Sequence, residues 1–86
     1  MITVKRFTGA WCQPCKVIAP IVEQLKQELT DVNFEVYDVD VHPTKTIEYD
    51  IKSLPTLVIE KNGEVVHKIV GLVTKASLIS TINSFK

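Results

Sequence analysis

"GAWCQPCKVIAP", residues 9–20, sets Cys12 and Cys15 three positions apart, behind an aromatic residue and ahead of a helix-like pattern. They are the chain's only cysteines. From Pro14 to Leu29 the apolar residues Val17, Ile18, Ile21, Val22, Leu25 and Leu29 recur at helical spacing, while Lys16, Glu23, Gln24, Lys26, Gln27 and Glu28 fill the opposite face. Pro14 suits a first helical turn, where its missing N–H costs no bond. Pro20 falls inside the pattern and predicts a kink, at about 3 kcal/mol if nothing compensates.

Working outward, "MITVKRF" (1–7) reads as a strand feeding this helix, and "NFEVYDVDV" (33–41) as a second strand rich in β-branched and aromatic residues. Its apolar positions do not alternate cleanly, as expected if both faces are partly covered. "HPTKTIEYDI" (42–51) holds one or two helical turns beginning near Thr44. "PTLVIEKNGEVVHKIVG" (55–71) is a hairpin turning through Asn62-Gly63. Thr74 caps a last helix whose stripe is Leu78, Ile79, Ile82 and Phe85. The order β-α-β-α-β-β-α predicts an α/β fold with a four-stranded mixed sheet and helices on both faces. Its first two strands should be parallel, joined by a right-handed crossover.

The 86 residues are read as one domain, 1–86. A chain of this size buries roughly 60–65% of the surface its unfolded form exposes, enough for a single core. Hydrophobic residues make up 45% of it and the formal net charge is zero, so nothing points to a nucleic-acid or anionic-membrane partner. No signal-peptide core precedes Lys5 and Arg6, and no apolar run approaches the ~20 residues that span a bilayer. A cytoplasmic location is the default, and there structural disulfides are scarce. A bridge closing so short a loop would also constrain the unfolded chain little, which argues against a staple.

At a helix start, residues three apart share a face, so the two sulfurs can meet. The unpaired N–H groups and about half a positive charge at that end favour thiolate over thiol, and the thiolate attacks disulfides. Cys12, nearer the helix end and its exposed loop, is the candidate nucleophile, and Cys15, one turn in, the buried resolving thiol. Zinc is the competing reading, because Cys-x-x-Cys is half of a common ligand set. No second such pair exists, and no metal-like spacing links His42 and His67, so no metal site is expected. Trp11 is placed to shield the sulfur and to offer partners an apolar contact, a core position being the alternative. Gly9 is either loop punctuation or room for a partner's approach.

"WCQPCK" opening a helix after a strand resembles the thioredoxin family, the system for which this motif is generally named. Pro20, five residues after Cys15, agrees with the family. So do "DVHP" (40–43) as its strand-end loop, "LPT" (54–56) as its cis-proline segment, and "KNGEVVHKIVG" (61–71) as its closing hairpin and following glycine. Together these cover nearly the whole chain. The resemblance implies a minimal thioredoxin fold, with Pro55 near Cys12. It also implies a substrate groove of Trp11, Leu54, Pro55, Thr56 and Gly71, in which Leu54 offers backbone groups to an extended segment.

Three departures accompany it. The chain begins where the family's second strand usually starts. Arg6 stands where a buried acid is common, and Val36 where its lysine partner is. Gln13 takes the place of a glycine. Arg6 is expected to reach solvent or pair with a carboxylate and, if it points at the cysteines, to join Gln13 and Pro14 in tuning their potential. Thioredoxin lies near −270 mV and the strong periplasmic oxidant near −120 mV, about 7 kcal/mol apart for two electrons, whereas such changes supply about a kilocalorie or two.

The expectation is therefore a monomeric protein-disulfide reductase with no bound cofactor beyond a Cys12–Cys15 disulfide. Its partners would be disulfide-containing proteins and, as electron donor, a flavin-dependent reductase or glutathione. The alternatives are a glutathione-linked glutaredoxin-like reductase, against which "LPT" stands in place of that branch's "TVP", and a non-catalytic binding module on the same fold.

Overall fold

The computed structural model describes residues 1–86. Its elements are β1 (Ile2–Thr8), α1 (Gln13–Glu28), β2 (Val32–Asp38), α2 (Pro43–Glu48), β3 (Thr56–Lys61), β4 (Glu64–Val70) and α3 (Lys75–Phe85). The sheet order is β2-β1-β3-β4, with β1 parallel to β2 and antiparallel to β3, and β3 antiparallel to β4. This is the expected β-α-β-α-β-β-α mixed sheet. No helix is long and apolar enough to cross a membrane.

Alternation along β1 divides the two faces. Ile2 and Val4 join Ile18, Val22 and Leu25 of α1, Leu57 and Ile59 of β3, and Leu78 and Ile82 of α3 in one buried cluster. Lys5 and Phe7 point the other way, where Phe7 stacks on Tyr37 and meets Tyr49, the residue that ends α2. Helices thus lie on both faces, but unevenly. Two amphipathic helices seal one side, and a six-residue helix with no buried side chain covers the end of the other through Tyr49.

α1 runs unbroken through Pro20. The carbonyl Pro20 leaves unpaired is that of Lys16, on the exposed face, where water can take the bond. The second strand stops at Asp38 and does not reach Val41. Asp38 Oδ1 accepts the Asp40 amide at 2.8 Å, and its carbonyl accepts the amides of Val41 and His42, so the chain turns there. β2 is an edge strand in which Val32, Phe34 and Val36 alternate with Asn33 and Glu35, and Val36, near its end, is exposed.

The hairpin turns where the sequence places it, with Asn62 at φ 54° and Gly63 at φ 86°, the pair of left-handed residues that a two-residue turn needs. No atom lies within 4 Å of a Cβ added to Gly63, so backbone strain alone sets the cost of substitution there. Gly63→Ala is expected to lower stability by about 1 kcal/mol in urea unfolding, with an unchanged m-value.

Candidate active site

Cys12 is the N-cap of α1, in extended backbone conformation. Its amide donates to the Gly9 carbonyl at 3.1 Å, and the Cys15 amide donates to Cys12 Sγ at 3.2 Å. The sulfur occupies the position that a serine or aspartate oxygen takes in an ordinary cap. One helical turn brings the two cysteines together as a disulfide, with Cα atoms 5.3 Å apart. Pro14 contributes no N–H to this turn, and no acidic residue in it opposes the partial positive charge of the helix end. Gln13 and Pro14 are both exposed beside the disulfide. Once reduced, a sulfur held here is favoured as thiolate.

The expected contrast between an exposed Cys12 and a buried Cys15 is not found in this disulfide form. Cys12 is 4% exposed and Cys15 2%. Capping turns Cys12 inward onto the helix end, and Trp11, 66% exposed, takes the outer position. Gly9 serves neither reading offered for it. A Cβ there would lie 3.1 Å from Trp11 Cε2 and 3.2 Å from Leu54 Cδ1, so the missing side chain lets these two residues close over the turn.

Leu54 precedes a cis bond to Pro55. The Pro55 carbonyl accepts the Gly71 amide at 2.9 Å, which ties this segment to the residue following β4, and Gly71 makes that exit at φ 89°. The Thr56 side chain is buried, with its hydroxyl donating to the Ser53 carbonyl at 2.6 Å; it holds the bend instead of facing a groove. The Leu54 amide and carbonyl make no hydrogen bond within the chain. Trp11 and Leu54 therefore flank the cysteine turn, Pro55 and Gly71 form the backbone behind Leu54, and Thr56 sits inside.

Arg6 turns away from the disulfide. Its side chain lines a small cleft with Val22, Glu23, Lys26, Phe34 and Val36, two or more helical turns along α1 from Cys15. Burial lowers the guanidinium pKa from its ordinary value, and Glu23 partly offsets this. The register sets Arg6 directly beside Val36. Glu23 acts on the guanidinium from beyond ion-pair distance, so Arg6 lines this cleft without the carboxylate pairing that was one of its two expected fates.

Two features escaped the sequence reading. Trp11 Nε1 donates to Asp40 Oδ2 at 3.2 Å. Parallel strands carry the loops that follow them to the same end of a sheet, and β1 and β2 lead directly into Trp11 and Asp40. The second is Lys5, whose ammonium donates to the Tyr49 hydroxyl at 2.7 Å and lies 3.3 Å from Glu60, while Tyr49 donates to the same carboxylate. Burial disfavours the charge on Lys5, but the Tyr49 bond and Glu60 outweigh it and raise the pKa above its ordinary value. An acid at an inward position of "TLVIEK" was the available signal.

A thioredoxin family model matches residues 2–84. The chain belongs to the thioredoxin family. It is 40% identical over 77 residues to a thioredoxin of Chlamydia caviae, an alignment spanning 90% of this chain and 76% of the relative. It is 37% identical over 78 residues to thioredoxin 1 of Synechococcus elongatus, covering 90% and 73%. Among solved structures, Fasciola hepatica thioredoxin superposes with a TM-score of 0.91 at 35% identity, covering 99% of this chain and 81% of that one. A mutant thioredoxin from Halobacterium salinarum gives 0.92 at 33% identity, covering 98% and 74%. The Cys12–Cys15 pair is thus the redox centre of a thiol–disulfide oxidoreductase, a protein-disulfide reductase working through that disulfide. Membership of this family implies disulfide-bearing substrates and a reductase that restores the dithiol.

Proposed function

We propose that the protein reduces protein disulfides in the cytoplasm, with Cys12 as attacking sulfur, Cys15 as resolving sulfur and a flavin-dependent reductase as electron donor. The carrying observation is Cys12 Sγ at the amide end of α1, beside a Leu54 backbone that has no partner in the chain. An extended substrate segment hydrogen-bonds to Leu54 and brings its disulfide to Cys12. The Cys12 thiolate attacks one substrate sulfur, forming a mixed disulfide and expelling the other as a thiolate that takes a proton from water. Cys15 then gives up its proton to solvent, since Arg6 is already a cation, and attacks Cys12 Sγ. The second substrate thiol leaves, two electrons have passed to the substrate, and the Cys12–Cys15 disulfide is restored.

Exposed Trp11 supplies apolar contact, Pro55 and Gly71 back the Leu54 segment, Gly71 with no side chain to obstruct it, and Gln13 and Pro14 adjust the potential. The economy of cysteines, with none outside the working pair, supports the cytoplasmic assignment. The test is insulin reduction by the purified protein, supplied either with NADPH and a flavin-dependent thioredoxin reductase or with glutathione and its reductase. Turnover with the first donor is expected. Turnover with glutathione alone overturns the donor assignment, and intact insulin with both overturns the reductase reading.

A further inference from the structure

We propose that the free edge of β2 is a docking site for an extended segment of a protein partner, one whose acidic side chain reaches across Val36 to the unpaired guanidinium of Arg6. The site lies away from the cysteine turn and does not depend on the reductase reading.

Two observations meet at this edge. The first is the strand itself. The sheet order leaves β2 and β4 as its two edges. A free edge exposes unpaired N–H and C=O groups, and proteins blunt such edges with bulges, lysines or prolines. β4 slips register against Ile59 and Glu60 and carries Lys68. β2 has none of these devices, and its residues VNFEVYD hold an unbroken register with β1 from Val32 to Asp38. It is the edge prepared to accept another strand.

The second is Arg6. The residue is only 9% exposed, yet no carboxylate lies within ion-pair distance and no group in the chain accepts its N–H bonds. A guanidinium presents five donors in a fixed fork, and leaving a buried cation without a partner is costly. None of its nitrogen atoms is sealed off. They open into a cleft of about 30 Å³, room for one carboxylate-sized group, lined by Val22, Phe34 and Val36. Glu23 and Lys26, both exposed, flank it and cancel in charge, which leaves Arg6 in excess.

The register joins the two. Arg6 and Val36 are paired across β1 and β2, so a residue added beside Val36 would stand in the same row and on the same face. Two strand spacings, about 10 Å, would separate its backbone from that of Arg6, within the combined reach of arginine and glutamate. The next rows turn to the opposite face, where Glu35 already accepts the Tyr37 hydroxyl at 2.6 Å and a second acid would be repelled. The occupant is therefore an extended segment with one acidic residue beside Val36 and uncharged residues on either side of it.

The probe is the blocked peptide Thr-Val-Thr-Glu-Thr-Val-Thr, which presents its acid in the same place whichever way the strand runs, compared with its glutamine counterpart. Each is titrated into the isotope-labelled protein and followed through the backbone amide signals. The glutamate peptide is expected to shift the amides of Val32–Asp38 and to bind about tenfold more tightly than the glutamine peptide, the effect of a charged hydrogen bond. Added salt should weaken the first and leave the second unchanged. Arg6→Gln should abolish the difference between them. Equal affinities for the parent protein overturn the proposal, as do shifts confined to β4 or to the cysteine turn, or no binding at all. Concentration-dependent dimerisation with the β2 amides protected from exchange would assign the edge to a second copy and also overturn it. Should Arg6→Gln fold poorly, the comparison of the two peptides on the parent protein decides alone.

Discussion

Cys15→Ser leaves a long-lived mixed disulfide between Cys12 and its substrate, whereas Cys12→Ser traps nothing, and both lower insulin reduction by at least about a thousandfold. The asymmetry follows from the cap. Only Cys12 carries the sulfur that accepts an amide from the first turn of α1, and only it adjoins the exposed Trp11 and the open Leu54 backbone. Cys15 lies one turn into α1 and bonds to Cys12, so it resolves through Cys12. Serine at position 15 preserves the helix and the cap donor, because the donating group is the backbone amide. Non-reducing gels of each variant after exposure to an oxidised protein substrate read the result directly. Equal trapping by both variants would show that the two sulfurs are interchangeable and would sink the assigned order.

Removing the Glu60 carboxylate produces the largest expected loss of stability, about 3–5 kcal/mol for Glu60→Ala. Lys5 and Glu60 have side chains only 12% and 8% exposed, their charged groups are 3.3 Å apart, and Tyr49 bonds to both. The loss arises because the ammonium stays in the sheet with only the more exposed Glu35, 3.9 Å away, as counter-charge. A domain of this length has roughly 4–13 kcal/mol in total, so the variant should melt more than about 10 °C lower in calorimetry. Lys5→Met combined with Glu60→Leu removes both charges and should recover most of the loss, since apolar packing commonly replaces a buried pair at little net cost.

The same pair makes a pH prediction. The folded-state pKa of Lys5 is raised above the ordinary 10.5, so its contribution is complete below that pH and disappears as pH rises through the higher folded value. The double variant should lose stability less steeply than the parent above about pH 10.5 in denaturant titrations at fixed temperature. Parallel slopes would show that Lys5 is not charged in the fold.

Much of the fold follows from local patterns. The helical period after Cys15, the Asn62-Gly63 pair and the Thr74 cap are satisfied within a few residues of themselves, and each is found where the sequence puts it. The second strand ends three residues early for a reason that is local as well. Asp38 competes for the backbone amides that would have extended the strand, a capacity its side chain shows only once the chain has turned. At the site, the spacing of Cys12 and Cys15 and the helix they open were enough to place a sulfur at a positive helix end, because that arrangement spans a single turn.

What needed the tertiary structure is everything that joins residues distant in sequence. Lys5 finds its partners only because β3 and the end of α2 bring Glu60 and Tyr49 onto its face. Arg6, its neighbour, was sent by strand alternation to the opposite face and toward Glu23, so its direction depended on how α1 lies across the sheet. Gly9 took its meaning from Trp11 and Leu54, and Trp11 from Asp40. The chemistry of the pair was thus set by residues 12–15 alone, because a helix end and two sulfurs need only one turn. The surroundings that bury those sulfurs and hold the tryptophan beside them were set by strand order, because only the packed sheet brings such remote side chains within bonding distance.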